Sequence, residues 1–152
     1  MENYSIRKIK KEDNQAVAKL IRAVFDELNI PKVGTAYEDP YLDLMFEEYN
    51  KPKSVYYVVE KAGKIIGSAG VAPLENEAET ICELQKMYFL PETRGLGIGS
   101  QMMAQCLQSA KDFGFEKCYL ETMPFMLDAQ KLYKKVGFEY ICSPMGSTGH
   151  TS

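Results

Sequence analysis

The sequence predicts a mixed α/β domain built around a strand, a glycine-rich turn and a helix in direct succession. Residues 83 to 90 end in the apolar, aromatic run Met87-Tyr88-Phe89-Leu90, which reads as a strand stopped by Pro91. Arg94, Gly95, Gly97 and Gly99 then form the turn, and Ile98, Met102, Cys106, Ala110 and Phe113 recur at the three- and four-residue spacing of one helix face. Around this centre, strand and helix patterns fill residues 4 to 142 with no repeat, linker or second domain.

The elements follow in order. Tyr4 to Ile9 fit a short strand, and Lys10 to Asn14 a turn with several N-cap candidates. Ala16, Val17, Leu20, Ile21, Val24, Phe25 and Leu28 mark a helix. Pro31, Gly34 and Pro40 make residues 29 to 40 a loop. A second helix is expected over residues 41 to 49, with Leu42, Met45, Phe46 and Tyr49 on one side. That loop and helix either wall a substrate cleft or simply pack at an edge. Val55 to Lys61 and Ile65 to Ala72 read as a hairpin turning at Ala62-Gly63-Lys64. Gly67 and Gly70 mark bulges or close backbone approach, and residues 73 to 79 are an acidic loop.

Residues 80 to 90 form the long fourth strand. Leu84 and Met87 are three apart and cannot share a face of a regular strand, so a β-bulge is expected between them. A bulge frees backbone groups that a ligand could use. The helix of residues 97 to 113 leads to a fifth strand at 117 to 122, a short helix from Leu127 to Val136 capped by Gly137, and a sixth strand at 138 to 142. Residues 143 to 152 are rich in Gly, Ser and Thr and read as a frayed end.

The whole-chain quantities narrow the class. The 152 residues are most simply one domain, and 45% hydrophobic content is enough for a buried core. A net charge of −3 gives no electrostatic case for nucleic acid. Cys82, Cys106, Cys118 and Cys142 lack CxxC spacing and sit in apolar contexts, so reduced core thiols are expected, with no metal. No apolar run reaches about 18 residues, and the Met-Glu-Asn-Tyr start is no signal peptide, so no membrane is expected and the cytoplasm is the expected compartment.

The glycine turn carries the first chemistry. A helix N-terminus presents unpaired N–H groups and the positive end of its dipole, and glycines let an anion come close, so a phosphate-bearing ligand is expected. A Walker A loop would need a lysine where Ile98-Gly99-Ser100 has none. A dinucleotide fingerprint would need Gly-x-Gly-x-x-Gly on an early βαβ unit, and here the glycines alternate after four strands. A bare connector would not need three glycines in five residues.

Two motifs then resemble the GNAT superfamily of acyl-CoA N-acyltransferases. Arg94-Gly95-Leu96-Gly97-Ile98-Gly99 fits its Arg/Gln-x-x-Gly-x-Gly/Ala loop and follows Phe89-Leu90-Pro91-Glu92, like its Val-x-Pro-Glu approach. Ala129-x-x-Leu132-Tyr133-Lys134-Lys135-Val136-Gly137-Phe138 is similar to its second conserved segment. The resemblance implies a central twisted mixed sheet with helices on both faces. It implies acetyl-CoA as co-substrate, with the N–H groups of Gly95, Leu96, Gly97, Ile98, Gly99 and Ser100, beside Arg94, on its pyrophosphate. The backbone of Met87, Tyr88 and Phe89 would pair with the pantetheine arm where the sheet splays, and Ala129 and Met126 would flank it. Met126 replaces an asparagine that helps hold CoA in many members, so that contact is lost or carried by backbone.

Acetyl transfer needs a neutral amine, donors for the oxyanion and a proton for the leaving thiolate. By resemblance Tyr133 is the acid and the Phe89 N–H the oxyanion donor. His150, the only histidine, lies in the tail, so Glu83, a carboxylate on an apolar strand beside the bulge, is the expected base, acting through water. Burial would raise its pKa into a useful range. Glu121 and Tyr88 are the alternatives. The acceptor is a primary amine: a small amine, a polyamine, an aminoglycoside, or a protein or peptide amine. The acidic loop leans towards a cationic one, and reads equally well as a plain solvated surface loop. The family's last strand has only the ten residues after Cys142 to form it, so it is missing or supplied by a partner, as in a homodimer. The rival function is a non-catalytic acyl-CoA-binding module of the same fold.

Overall fold

The β-branched and aromatic run Val55–Lys61 (β2) turns back on Lys64–Pro73 (β3) through Ala62 and Gly63. Both turn residues have positive φ, 52° and 79°, as a two-residue hairpin turn of the I′ kind requires. This hairpin is the middle of the sheet. The structure, a computed structural model, describes residues 4–27, 42–74, 80–93 and 96–120. Tyr4–Lys8 (β1) pairs antiparallel with β2, and Ile81–Phe89 (β4) antiparallel with β3. Lys117–Tyr119 (β5) pairs parallel with β4, giving a mixed sheet in the order β1-β2-β3-β4-β5. The expected helix at residues 127 to 136, the sixth strand at 138 to 142, the tail and the loops at 29 to 40 and 75 to 79 lie outside the described residues.

Helices cover both faces. Asn14–Glu27 (α1) turns Val17, Leu20, Ile21, Val24 and Phe25 onto one face, against Tyr56, Val58, Ile65 and Tyr88. Ile98–Asp112 (α3) packs Ile98, Met102, Met103 and Cys106 on the other, against Val55, Tyr57, Val59 and Val71. Burying each such side chain contributes about 1.5–3 kcal/mol. Being covered twice is why β3 reads as a continuous apolar run without strict alternation.

The helix expected over residues 41 to 49 is shorter than its periodicity. Leu42–Leu44 form a 3₁₀ turn and only Met45–Tyr49 (α2) is α-helical, because Leu44, at φ −129° and ψ 38°, breaks the helical run. Asn14 anchors this segment: its Oδ1 accepts the Phe46 N–H at 2.8 Å, and its Nδ2 donates to Glu47 at 2.7 Å. Leu42, Met45 and Tyr49 are buried against α1, as the expected face requires.

The bulge is where Leu84 and Met87 called for it. Gly70 pairs with Gln85 and Ser68 with Tyr88, so β4 carries one residue more than β3 between these pairs. The extra residue centres on Lys86, at φ 48°. With it, Leu84 and Met87 both reach the α3-side core. The expected free backbone needs correcting at one group. Tyr56 Oη is 2.6 Å from the Lys86 carbonyl oxygen and 2.8 Å from Ser68 Oγ. A carbonyl only accepts, so the phenol donates to Lys86 and the Ser68 hydroxyl supplies the second proton. The bulge carbonyl is therefore held by the protein's own core. Gly67 and Gly70 mark close approach as expected. A Cβ on Gly67 would sit 2.4 Å from the Phe89 ring, and one on Gly70 would sit 2.5 Å from the Val55 carbonyl oxygen.

Candidate active site

The parallel pairing of β4 with β5 runs only from Ile81 to Glu83, opposite Lys117 to Tyr119. Beyond Glu83, among the described residues, no strand lies on that edge of β4. The direction of the backbone groups there follows from one bond. The Leu90 N–H donates to the Ile66 carbonyl at 2.9 Å, towards β3. Successive N–H groups of a regular strand point to opposite edges, so Tyr88 also points to β3 and Phe89 to the β5 side, while Met87 lies within the bulge, where this alternation is interrupted. Of the three expected backbone contacts, Phe89 thus faces the edge where β5 stops and Tyr88 does not. The Tyr88 side chain, weighed as an alternative base, packs 5.5 Å from the Phe25 ring in the α1-side core.

The chain then winds into the glycine turn. Pro91–Thr93 form a 3₁₀ turn closed by the Thr93 N–H and hydroxyl, both donating to the Leu90 carbonyl at 3.0 and 2.8 Å. Gly97 caps α3 in the left-handed region, at φ 73°, where a side chain would be strained. A Cβ there would meet nothing within 4 Å among the described residues, so on their side the helix start is open to an approaching group. The N–H groups of Ile98, Gly99 and Ser100 belong to the first turn of α3, which has no acidic side chain. Glu92, the nearest preceding carboxylate, is paired with Lys64 Nζ at 3.1 Å. The described part of this cradle fits a pyrophosphate in backbone donors, dipole and space. Arg94 and Gly95 lie outside the described residues, as do Met126, Ala129, Tyr133, Glu121 and His150.

Glu83 is buried, 5% exposed, on the face of β4 towards α1 and α2. Its Oε1 accepts from Gln85 Nε2 at 2.6 Å, and the Tyr49 hydroxyl donates to Gln85 Oε1 at 2.5 Å. Tyr49 stacks on Tyr56 with ring centroids 4.8 Å apart. Gln85 was not read as a site residue from the sequence, although a second polar residue two positions along the same strand face was the signal on offer. Tyr49 was legible only as an apolar position of its helix.

The cysteines behave as core thiols. Cys82 and Cys106 are buried, Cys118 is half-buried, and all are free. Burial pushes the Cys106 thiol up to about 12. Cys142 lies outside the described residues.

A mixed sheet with an open β4 edge, leading through a glycine turn into a helix N-terminus, is the plan of the N-acyltransferases that the sequence resembles. The Acetyltransferase (GNAT) family profile matches residues 18–138. The chain is 41% identical over 146 residues to an uncharacterized N-acetyltransferase, YjgM, of Escherichia coli strain K12, covering 95% of this chain and 87% of that one. A GNAT-family acetyltransferase from Staphylococcus aureus Mu50 superposes with a TM-score of 0.82 at 22% identity, over 92% of this chain and 87% of that one. A predicted acetyltransferase from Clostridium acetobutylicum, solved with acetyl-CoA, gives 0.76 at 20% identity, over 97% and 99%. These two structures show the fold. The chain belongs to the GNAT acetyltransferase family and is an N-acetyltransferase.

Proposed function

We propose that this enzyme moves the acetyl group of acetyl-CoA to a primary amine bound on the α1 and α2 side of β4. The observation that carries the reading is one continuous segment. The outward Phe89 N–H, beside the bulge, stands on the strand that precedes the helix start at Gly97. An extended thioester arm with a pyrophosphate at its end fits that sequence of donors. The Clostridium structure, solved with acetyl-CoA, supports the same assignment.

The amine nitrogen attacks the thioester carbon. The Phe89 N–H, directed to that side, stabilises the oxyanion. The nitrogen's proton passes to the Glu83 carboxylate, directly or through one water. The C–S bond breaks, and the CoA thiolate takes a proton from Tyr133. The products are the acetamide and free CoA thiol. The acceptor class remains a small amine, a polyamine, an aminoglycoside or a peptide amine.

A thiol-release assay with acetyl-CoA against an amine panel tests this. Turnover is expected on at least one amine, and Gly97→Glu, which sets a carboxylate at the helix start, should weaken acetyl-CoA binding about tenfold or more. Tight acetyl-CoA binding with no turnover on any amine would favour the binding-module reading. Unchanged acetyl-CoA binding by Gly97→Glu would remove the cradle assignment.

A further inference from the structure

We propose that Gln85 and Tyr49 position the Glu83 carboxylate and keep it hydrogen-bonded in both of its protonation states, an inference resting on the reading of Glu83 as the proton acceptor. The three side chains form a line from α2 across the face of β4. Tyr49 Oη lies 2.5 Å from Gln85 Oε1, and Gln85 Nε2 lies 2.6 Å from Glu83 Oε1.

An ionised carboxylate can only accept. Gln85 must therefore present its NH₂ to Glu83, which leaves its carbonyl oxygen facing Tyr49. The Tyr49 hydroxyl fixes that orientation by donating to the oxygen. When Glu83 takes a proton, its new O–H needs an acceptor. A half-turn of the amide supplies one. Gln85 Oε1 then accepts from Glu83, and its NH₂ donates to Tyr49 Oη, which as a hydroxyl both donates and accepts. Neither state loses a hydrogen bond along the line. A lysine at position 49 or 85 could serve only the ionised state, and a second carboxylate only the protonated one. An amide and a hydroxyl serve both, which is what a group that gains and loses a proton in each turnover needs.

The line is held at its outer end. Tyr49 is buried and stacked on Tyr56, so its hydroxyl has little freedom to leave. Gln85 sits directly before the bulge residue Lys86, on the same face as Glu83. Among the described residues, titratable groups near the carboxylate include Tyr119, its register partner on β5, and the Cys82 thiol beside it on β4. Neither separates it from Gln85.

Both states keep a hydrogen bond to Gln85, but the one to the ionised carboxylate is charge-assisted and the stronger of the two, so removing Gln85 costs the charged form more and should raise the apparent pKa of the base. For Tyr49→Phe, which keeps the ring, and Gln85→Met, which keeps the length, the acid limb of the pH profile of kcat/KM should move up by roughly half to one unit. The value of kcat at neutral pH should fall about tenfold, while KM for acetyl-CoA and the melting temperature of Tyr49→Phe stay near wild type. Gln85→Asn, with a shorter amide, should recover less than Gln85→His, which can also donate and accept. A wild-type acid limb in both Tyr49→Phe and Gln85→Met would overturn the positioning role. Glu83→Gln separates the two levels. If it turns over at the wild-type rate with an unchanged profile, the base assignment itself fails. If it is inactive while the two neighbours leave the profile unmoved, only the positioning proposal fails.

Discussion

Tyr56 shows how one hydroxyl fixes a backbone irregularity. It is 1% exposed, and its phenol closes the bulge by donating to the Lys86 carbonyl while Ser68 bonds to it from β3. Burial pushes the Tyr56 phenol well above its ordinary range, so it remains a donor at any working pH. Tyr56→Phe would leave the Lys86 carbonyl and the Ser68 hydroxyl short of a partner in the core. The expected loss is roughly 1–3 kcal/mol, read as a lower urea midpoint at unchanged slope. An unchanged midpoint would show that water replaces the phenol. The sequence places Tyr56 in a β-rich run but gives no sign of this bond, because its partners are 12 and 30 residues away. Residues 84 and 87, by contrast, announce the bulge themselves. Two apolar side chains at odd spacing cannot both face the same core from a regular strand.

At the scale of elements, β3 is pressed between two neighbours that tolerate no Cβ. At Gly70 the obstacles are the Tyr56 ring and the Val55 carbonyl oxygen, both at 2.5 Å, and the second is backbone that cannot rotate away. At Gly67 the obstacle is the edge of the Phe89 ring at 2.4 Å, a side chain that can rotate. Gly70→Ala should therefore cost more than Gly67→Ala, on the order of 2–3 kcal/mol against about 1, measured as paired melting curves. The reverse order would mean that β2 yields more easily than the ring. Spacing made these glycines legible as close contacts, and hairpin chemistry made the β2–β3 turn legible. Helix periodicity overreached at residues 41 to 49, because an apolar face at the right intervals fits a 3₁₀ turn followed by one α turn as well as a helix. The Tyr49–Gln85–Glu83 line was out of reach for a different reason. Periodicity assigns a residue to a face, and only the packed fold decides which residues from two faces meet.

For the whole molecule, the order of elements and the two-faced sheet were readable, and so was the anion-binding character of the turn. The ion network that ties the first strand to the first helix was not. Arg7 on β1 grips the Asp13 carboxylate with two nitrogens, at 2.8 and 3.1 Å, and reaches Glu60 on β2 at 3.0 Å. Asp13 also accepts the Lys10 N–H at 2.7 Å, fixing the turn that launches α1. Burial pushes the Asp13 carboxyl up, but the Arg7 guanidinium and the Lys10 N–H outweigh it and hold the group below the usual carboxylate range. A depressed folded-state pKa stabilises the fold above the unfolded value of about 3.9, and the gain is lost as the pH falls through the folded value. The wild type should lose roughly 1–3 kcal/mol more than Asp13→Asn between neutral pH and the acid side of that range, by urea titration at each pH. Parallel curves for the two proteins would refute the role of Arg7. The bulge at Lys86 has a broader consequence. It divides β4 into two segments of opposite parity. Glu83 and Gln85 face α2 from odd positions, and Tyr88 faces α1 from an even one. A gain or loss of one residue in this strand would turn everything after it inside out, including the approach to α3. Related chains can thus change the length of β4 only two residues at a time, or by losing the bulge together with the residue that makes it.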